Sequence, residues 1–199
     1  ESPSKKKILE NVTGARETVK RISQIVTGMK TIARDGTHDP YAKINLSTVI
    51  ENTLQLCEER FRYHGVTLDL EKLDKNIEVE AQEVSIGQVF LNLLNNAFDS
   101  IQTQENKWIK ISSHFFKNKI EIKIIDSGAG IKPADREKIF RPFFTTKETG
   151  KGTGLGLSIS KGILESHGGD LIYDFRQSNT TFVVSLPRPK SCVLSNLNT

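Results

Sequence analysis

The chain has 199 residues, 36% of them hydrophobic and 26% charged, and a formal net charge of +4. This length and composition are typical of one well-buried domain with a small appendage, and the apolar runs are too short for a membrane-spanning helix or a signal peptide. Basic residues are scattered among acidic ones, which argues against nucleic-acid binding, and two cysteines without ligand spacing fit a reducing, cytoplasmic compartment.

The first predicted element is one long helix over residues 5–35. Apolar residues from Ile8 to Ala33 follow alternating steps of four and three, the pattern of a coiled-coil or helix-bundle seam. Such a seam needs a partner chain or a neighbouring helix, although an ordinary amphipathic helix packed on its own domain is an alternative. Gly36 and Pro40 both stop helices, so residues 37–40 are interpreted as a linker.

A globular domain is predicted over residues 41–187. The predicted strands cover residues 42–46, 66–70, 77–81, 108–116, 119–125, 170–175 and 181–186. The predicted helices run from Ser47 as N-cap to about Tyr63, along the apolar face from Ile86 to Ile101, from Pro133 to about Phe140, and from Leu155 to His167. We therefore expect an α/β two-layer sandwich, with helices on one face of a mixed sheet, and a tail at residues 188–199.

Three segments carry polar residues or glycines that ordinary packing does not require. Asn92, Asn96 and Asp99 form a polar line beside the apolar face of their helix, although asparagine is a mediocre helix former. Asp126 ends a strand and enters Ser-Gly-Ala-Gly, whose small residues let backbone approach a flat ligand. The glycines at 152, 154 and 156 precede a helix, where free amides and the helix dipole can face phosphates.

These segments resemble the motifs of a known family. The N box of sensor histidine kinases is similar to Q88-V-F-L-N92-L-L-N95-N96-A-F-D99. Their G1 box is similar to D126-S-G128-A-G130-I, and their G2 box to G150-K-G152-T-G154-L-G156-L-S158. F140-R-P-F143-F144-T-T-K147 is similar to that family's F box. The resemblance covers residues 40–187 and implies the Bergerat ATP-binding fold, shared with gyrase B, Hsp90 and MutL.

The resemblance also implies a function and its cofactors. The domain would bind Mg-ATP and transfer the γ-phosphate to a histidine on a dimerisation hairpin, and the phosphate would then pass to an aspartate in the receiver domain of a response regulator. Asp126 would accept a hydrogen bond from the adenine amine and so select ATP over GTP. Asn96 would bind magnesium through its side-chain oxygen.

Asn92 and Lys147 are further candidates for catalysis, together with Asn96. Asn92 stands where gyrase-like hydrolases carry a glutamate that activates water, and an amide is no general base near neutral pH. Lys147, in the segment 132–151 that resembles the ATP lid, is a candidate for a terminal-phosphate contact, although a merely solvated lysine fits the sequence equally well. The other predicted nucleotide-binding residues are Asp99, Gly128, Gly130, Ile131, Phe140, Phe144, Thr145, Thr146, Gly152, Thr153, Gly154, Leu155, Gly156 and Leu157.

Residues 1–40 are interpreted as part of the dimerisation hairpin, because residues 19–36 resemble its second helix. No histidine box of the H-E-x-x-N-P-L kind occurs, so the chain is expected to be a fragment that begins after the phosphorylated helix and belongs to a homodimeric full-length protein. The fragment is expected to be cytoplasmic and to contact no membrane, and a membrane anchor elsewhere in the full-length protein is left open. Two alternatives stay open, a nucleotide-gated interaction module that transfers nothing and a gyrase-like ATPase.

Overall fold

The computed structural model describes residues 12, 14, 19, 40–148 and 152–189. The predicted helix at 5–35 lies almost entirely outside the described residues, as does nearly all of the predicted linker and tail. The division at residues 40 and 188 therefore stays a prediction. Among the described residues, no helix is both long enough and apolar enough to cross a membrane.

Within the described ranges the elements follow the predicted order. The strands are β1 Ala42–Asn45, β2 Thr67–Asp69, β3 Glu78–Ala81, β4 Trp108–Phe115, β5 Lys119–Asp126, β6 Asp170–Tyr173 and β7 Thr181–Pro187. The helices are α1 Leu46–Tyr63, α2 Glu83–Ile101 and α3 Gly156–Ser166, with a 3-10 turn at Pro133–Asp135.

The main sheet has the strand order β2-β4-β5-β7-β6. The β2–β4 pair is parallel and the other pairs are antiparallel, so the prediction of a mixed sheet is confirmed. A separate two-stranded sheet pairs β1 with β3, with Ala42 opposite Ala81. Asp126 is the last residue of β5, and the sheet therefore delivers this carboxylate to one end of the domain.

The core lies between the sheet and the three helices. On β5, Ile120, Ile122 and Ile124 are buried while the residues between them face the other side of the sheet, as the alternation predicts. Helix α2 packs against α1, α3 and β5. Its buried residues are Ile86, Val89, Phe90, Leu93, Leu94, Ala97, Phe98 and Ile101, which confirms the predicted apolar face. Burial of that face fixes which residues of α2 remain along its polar edge.

Two local predictions were wrong. The N-cap of α1 is Asn45 rather than Ser47: the Asn45 side-chain oxygen accepts from the Ser47 backbone N–H at 3.0 Å, while its amide donates to the Lys75 carbonyl. The helix expected from Pro133 to Phe140 is only a 3-10 turn at Pro133–Asp135, because the chain turns there and buries Ile139 in the core.

His167, at the C-terminal end of α3, joins two helices. Its Nδ1 lies 2.7 Å from the Ile163 carbonyl oxygen, to which it donates, and its Nε2 accepts from the Gln82 backbone N–H at 3.1 Å. Gln82 is the N-cap residue of α2, so the imidazole accepts from a backbone N–H at the start of that helix. This residue was expected only to end a helix, and it also anchors the neighbouring one.

Gly169, between α3 and β6, is packed too tightly for a side chain. A Cβ there would lie 2.1 Å from the carbonyl oxygen of Ser185 on β7. We expect Gly169→Ala to lower the free energy of unfolding by about 2 kcal/mol, because the added methyl group must push backbone apart. Chemical denaturation followed by circular dichroism measures this change.

Gly162→Ala is the matched control, since Gly162 lies inside α3 and an added Cβ would meet no atom within 4 Å apart from the neighbouring backbone of its own helix. That replacement should leave the stability unchanged or raise it by up to about 1 kcal/mol, because alanine is the better helix former. Equal effects of the two substitutions would contradict the close packing of Gly169.

Candidate functional site

A cavity of about 500 Å³ opens between α2, the end of β5 and the segment that follows it. Its lining residues are Asn96, Asp99, Ser100, Asp126, Gly130, Ile131, Lys132, Asp135, Ile139, Phe144, Thr145, Thr146, Lys147, Leu157, Thr180 and Phe182. Residues from the polar line of α2, the Asp126 loop and the Phe140–Lys147 segment are thus brought together, although they lie up to 51 positions apart in the chain.

Asp126 is the buried carboxylate in the cavity lining. Its side chain is only 2% exposed, and its Oδ1 accepts from the Gly128 backbone N–H at 2.8 Å and from the Ser100 hydroxyl at 2.9 Å. Burial raises the pKa of the Asp126 carboxyl above its ordinary value, while these hydrogen bonds act in the opposite direction. The geometry presents a fixed, poorly hydrated acceptor to a ligand in the cavity.

The glycines after Asp126 are required by space. A Cβ on Gly128 would lie 2.5 Å from Asp126 Oδ1 and 2.8 Å from Thr180 Oγ1. Gly130 has a φ of 83°, in the left-handed region that favours glycine. The Tyr173 hydroxyl then accepts from the Ile131 backbone N–H at 2.8 Å and holds Ile131 at the cavity wall.

The other end of the cavity is charged. Lys147 Nζ lies 2.6 Å from Asp99 Oδ2 and 3.4 Å from Asn96 Oδ1, so the ammonium group stands beside the predicted magnesium ligand. Arg60 reaches the same carboxylate from α1, with its Nη2 3.0 Å from Asp99 Oδ1. A cation is therefore already accommodated at the polar edge of α2.

Asn92 occupies a different environment, one turn earlier on α2. Its side-chain amide donates to the Gly156 carbonyl at 3.3 Å and to the Ser160 hydroxyl at 3.2 Å. It does not line the cavity, and it ties α2 to the first turn of α3. Its assignment to catalysis stays a prediction.

The predicted residues on the lid and the glycine-rich segment divide between wall and support. The cavity is lined by Phe144, Thr145, Thr146, Lys147 and Leu157. Phe140 instead packs against the core. The predicted binding residues that do not line it are Asn92, Gly128, Phe140, Gly152, Thr153, Gly154, Leu155 and Gly156.

Gly154, just after the predicted lid, packs against the backbone of Phe143 and Phe144 within it. Its φ is 67°, and an added Cβ would lie 2.6 Å from the Phe143 carbonyl oxygen and 2.7 Å from that of Phe144. Phe143 is itself the non-glycine residue with positive φ in the described chain, at 66°, and its side chain is 63% exposed. Residues 149–151 lie outside the described part of the lid.

Several lining residues were missed by the sequence analysis. They are Ser100, Lys132, Asp135, Ile139, Thr180 and Phe182. Ser100 follows Asn96 by four positions, so helical periodicity places it on the same side of α2 as Asn96 and could have identified it. Thr180 and Phe182 reach the cavity from the β6–β7 hairpin, and neither stands in a recognisable pattern.

Comparison with known proteins places the chain among nucleotide-binding domains. A model of the family described as histidine kinase-, DNA gyrase B- and HSP90-like ATPase matches residues 81–190. The C4-dicarboxylate transport sensor protein DctB of Rhizobium meliloti (strain 1021) is 33% identical over 181 residues, which make up 90% of this chain and 28% of that protein. The chain therefore spans less than a third of the length of this relative.

Solved structures agree in fold. The catalytic domain of histidine kinase ThkA, in a nucleotide-free form, matches with a TM-score of 0.66 and 36% identity over 74% of this chain and 97% of that one. ThkA in complex with the response regulator protein TrrA matches with a TM-score of 0.72 and 30% identity over 95% of this chain and 53% of that one.

Proposed function

The chain belongs to the histidine kinase-, DNA gyrase B- and HSP90-like ATPase family, and from this premise we propose that it binds Mg-ATP and transfers the γ-phosphate to a histidine on a helical hairpin. Its fold and motifs are those of the catalytic ATP-binding domain of sensor histidine kinases. The observation that carries the proposal is the cavity itself, with a buried carboxylate at one end and Lys147 beside Asn96 and Asp99 at the other.

The buried carboxylate suits an adenine ring. Asp126 accepts hydrogen bonds, as an amine on the ring requires, and a purine with a carbonyl at that position would present a second acceptor. Ile131 and Leu157 supply apolar wall for the flat ring. We therefore assign Asp126 to the choice of ATP over GTP.

The charged end suits magnesium and phosphates. No group of three His, Cys, Asp or Glu side chains that could hold a metal occurs among residues 40–148 and 152–189. Magnesium would instead take the Asn96 side-chain oxygen and complete its shell with phosphate oxygens and waters, which is its usual mode in phosphotransfer sites. When bound, it would neutralise charge on the terminal phosphates.

Transfer is favoured over hydrolysis by the chemistry of Asn92. Its amide is committed to Gly156 and Ser160, and an amide cannot deprotonate water near neutral pH. The protein's contribution is then positioning: Asp126 fixes the base, and Lys147 attracts the terminal phosphate. We propose that an incoming histidine is the acceptor and that a response regulator then receives the phosphate, by analogy with the ThkA and TrrA pair.

Reconstitution with an acceptor tests this function. We expect labelled Mg-ATP to leave the 199-residue chain unlabelled, because none of its histidines lies in a phosphoacceptor motif. A dimerisation hairpin that carries the histidine box, added in trans or fused ahead of residue 1, should gain an acid-labile and base-stable phosphate.

A hairpin with its acceptor histidine replaced by alanine is the control and should stay unlabelled. Tight ATP binding without transfer to the intact hairpin would favour the nucleotide-gated module, while rapid release of inorganic phosphate would favour a gyrase-like ATPase. Label on the 199-residue chain alone would show that the acceptor has been misplaced.

A further inference from the structure

Asp99 is held between two cations at the charged end of the cavity. Its Oδ2 lies 2.6 Å from Lys147 Nζ on the lid, and its Oδ1 lies 3.0 Å from Arg60 Nη2 on α1. Its side chain is 26% exposed, and the side chains of Lys147 and Arg60 are 34% and 44% exposed, so the carboxylate is the least hydrated of the three groups. The Asp99 carboxylate is therefore ion-paired at the same time with Lys147, the lid cation, and with Arg60, the scaffold cation on α1.

The scaffold cation is fixed in place. The Arg60 guanidinium lies 3.9 Å from the centre of the Phe98 ring, and its Nη1 donates to Asn95 Oδ1 at 3.0 Å. Phe98 is buried on the apolar face of α2. The Arg60 side chain is 44% exposed, and stacking together with two hydrogen bonds to one helix restricts its conformation at the surface.

Lys147 would have to contact the terminal phosphate once ATP is bound. If Lys147 contacts the terminal phosphate, as the proposed function requires, it must give up at least part of its ion pair with Asp99. A carboxylate left unpaired beside a polyphosphate would repel it, and this repulsion is strong where water is partly excluded. A second cation that stays on Asp99 removes much of that cost.

We propose that Arg60 is a positioning residue for the terminal phosphate: it retains Asp99 through Oδ1, so that Lys147 can exchange Oδ2 for phosphate. The inference rests on the proposed function and goes beyond it, because Arg60 lies outside the recognised motifs and does not line the cavity. It acts through Asp99 and Lys147 and touches no reacting atom.

ATP and ADP respond differently under this proposal. ADP lacks the terminal phosphate, so Lys147 can stay on Asp99 when ADP binds, and the state of Arg60 then matters little. A role in packing on Phe98 alone would instead affect both nucleotides equally. The ratio of the two affinities therefore separates the two roles.

Calorimetric titration of the 199-residue chain with Mg-ATP and Mg-ADP tests the proposal. We expect Arg60→Gln to weaken ATP binding by about fivefold and ADP binding by less than about twofold, the scale of a partly exposed ion pair. Arg62→Gln removes the same charge from the last turn of α1 and should change neither affinity.

A charge rescue completes the test. In an Asp99→Asn background no carboxylate needs compensation, so the double variant Arg60→Gln, Asp99→Asn should bind ATP within about twofold of Asp99→Asn alone. Retained ADP binding shows that each variant is folded. Equal losses for ATP and ADP in Arg60→Gln, or no rescue in the double variant, would overturn the role of Arg60 while leaving the proposed function intact. A parent chain that binds neither nucleotide would overturn both.

Discussion

Replacement of Asp126 by asparagine is expected to weaken ATP binding by about one hundredfold, because the substitution affects an acceptor that is only 2% exposed. The Asp126 Oδ1 accepts from Gly128 and Ser100 at the end of β5, and this network fixes which groups face the ligand. An asparagine side chain replaces one carboxylate oxygen with an NH₂ donor. Either that donor meets the adenine amine, or the amide turns and opposes the Gly128 N–H.

Calorimetric titration with ATP and GTP measures the effect. Asp69→Asn is the matched control, since Asp69 lies on β2, pairs with Lys110 and does not line the cavity. This control should leave the ATP affinity unchanged. If Asp126→Asn bound ATP as tightly as the parent chain, the assignment of the adenine contact to Asp126 would be lost.

The second large effect is expected from Asn96→Ala. This substitution should remove the dependence of ATP affinity on magnesium and reduce transfer to an added hairpin by about one hundredfold, because it deletes the protein oxygen assigned to the metal. The Asn96 side-chain oxygen lies at the cavity wall 3.4 Å from Lys147 Nζ, so the site is already suited to positive charge.

Titration of ATP with and without magnesium separates this loss from a general loss of nucleotide binding. Asn52→Ala makes the same chemical change at an exposed position of α1 and should have no effect on either measurement. A variant at Asn96 that kept full magnesium dependence and transfer would mean that another group binds the ion.

The parts of the site that were predicted from sequence are those set by short-range periodicity. Helix α2 places its apolar residues every three or four positions, so its buried face, and with it the position of Asn96 and Asp99 on the edge, followed from the order of residues alone. Asp126 was found because it ends a strand and enters Ser-Gly-Ala-Gly, a segment that resembles the G1 box. Each of these patterns can be recognised within a few helical turns or a few neighbouring residues.

The parts that were missed depend on contacts across the fold. Arg60 reaches Asp99 over 39 positions, and Thr180 reaches the cavity from the β6–β7 hairpin. No local pattern marks either residue, since an arginine near the end of a helix and a threonine in a hairpin are common features of any surface. Asn45 was missed for a smaller reason, because Asn and Ser both suit an N-cap and stood two positions apart.

The packing of Gly154 against the Phe143 and Phe144 carbonyls has a consequence for conformational entropy. The segment between Phe144 and Gly154 has its two ends packed closely together. Bringing the ends of a loop together carries an entropic penalty that rises with the logarithm of its length, and here the penalty is met when the domain folds. Nucleotide binding therefore does not carry this entropic penalty again. More of the contact energy between nucleotide and lid is retained as affinity than for a flexible segment whose ends are not held together.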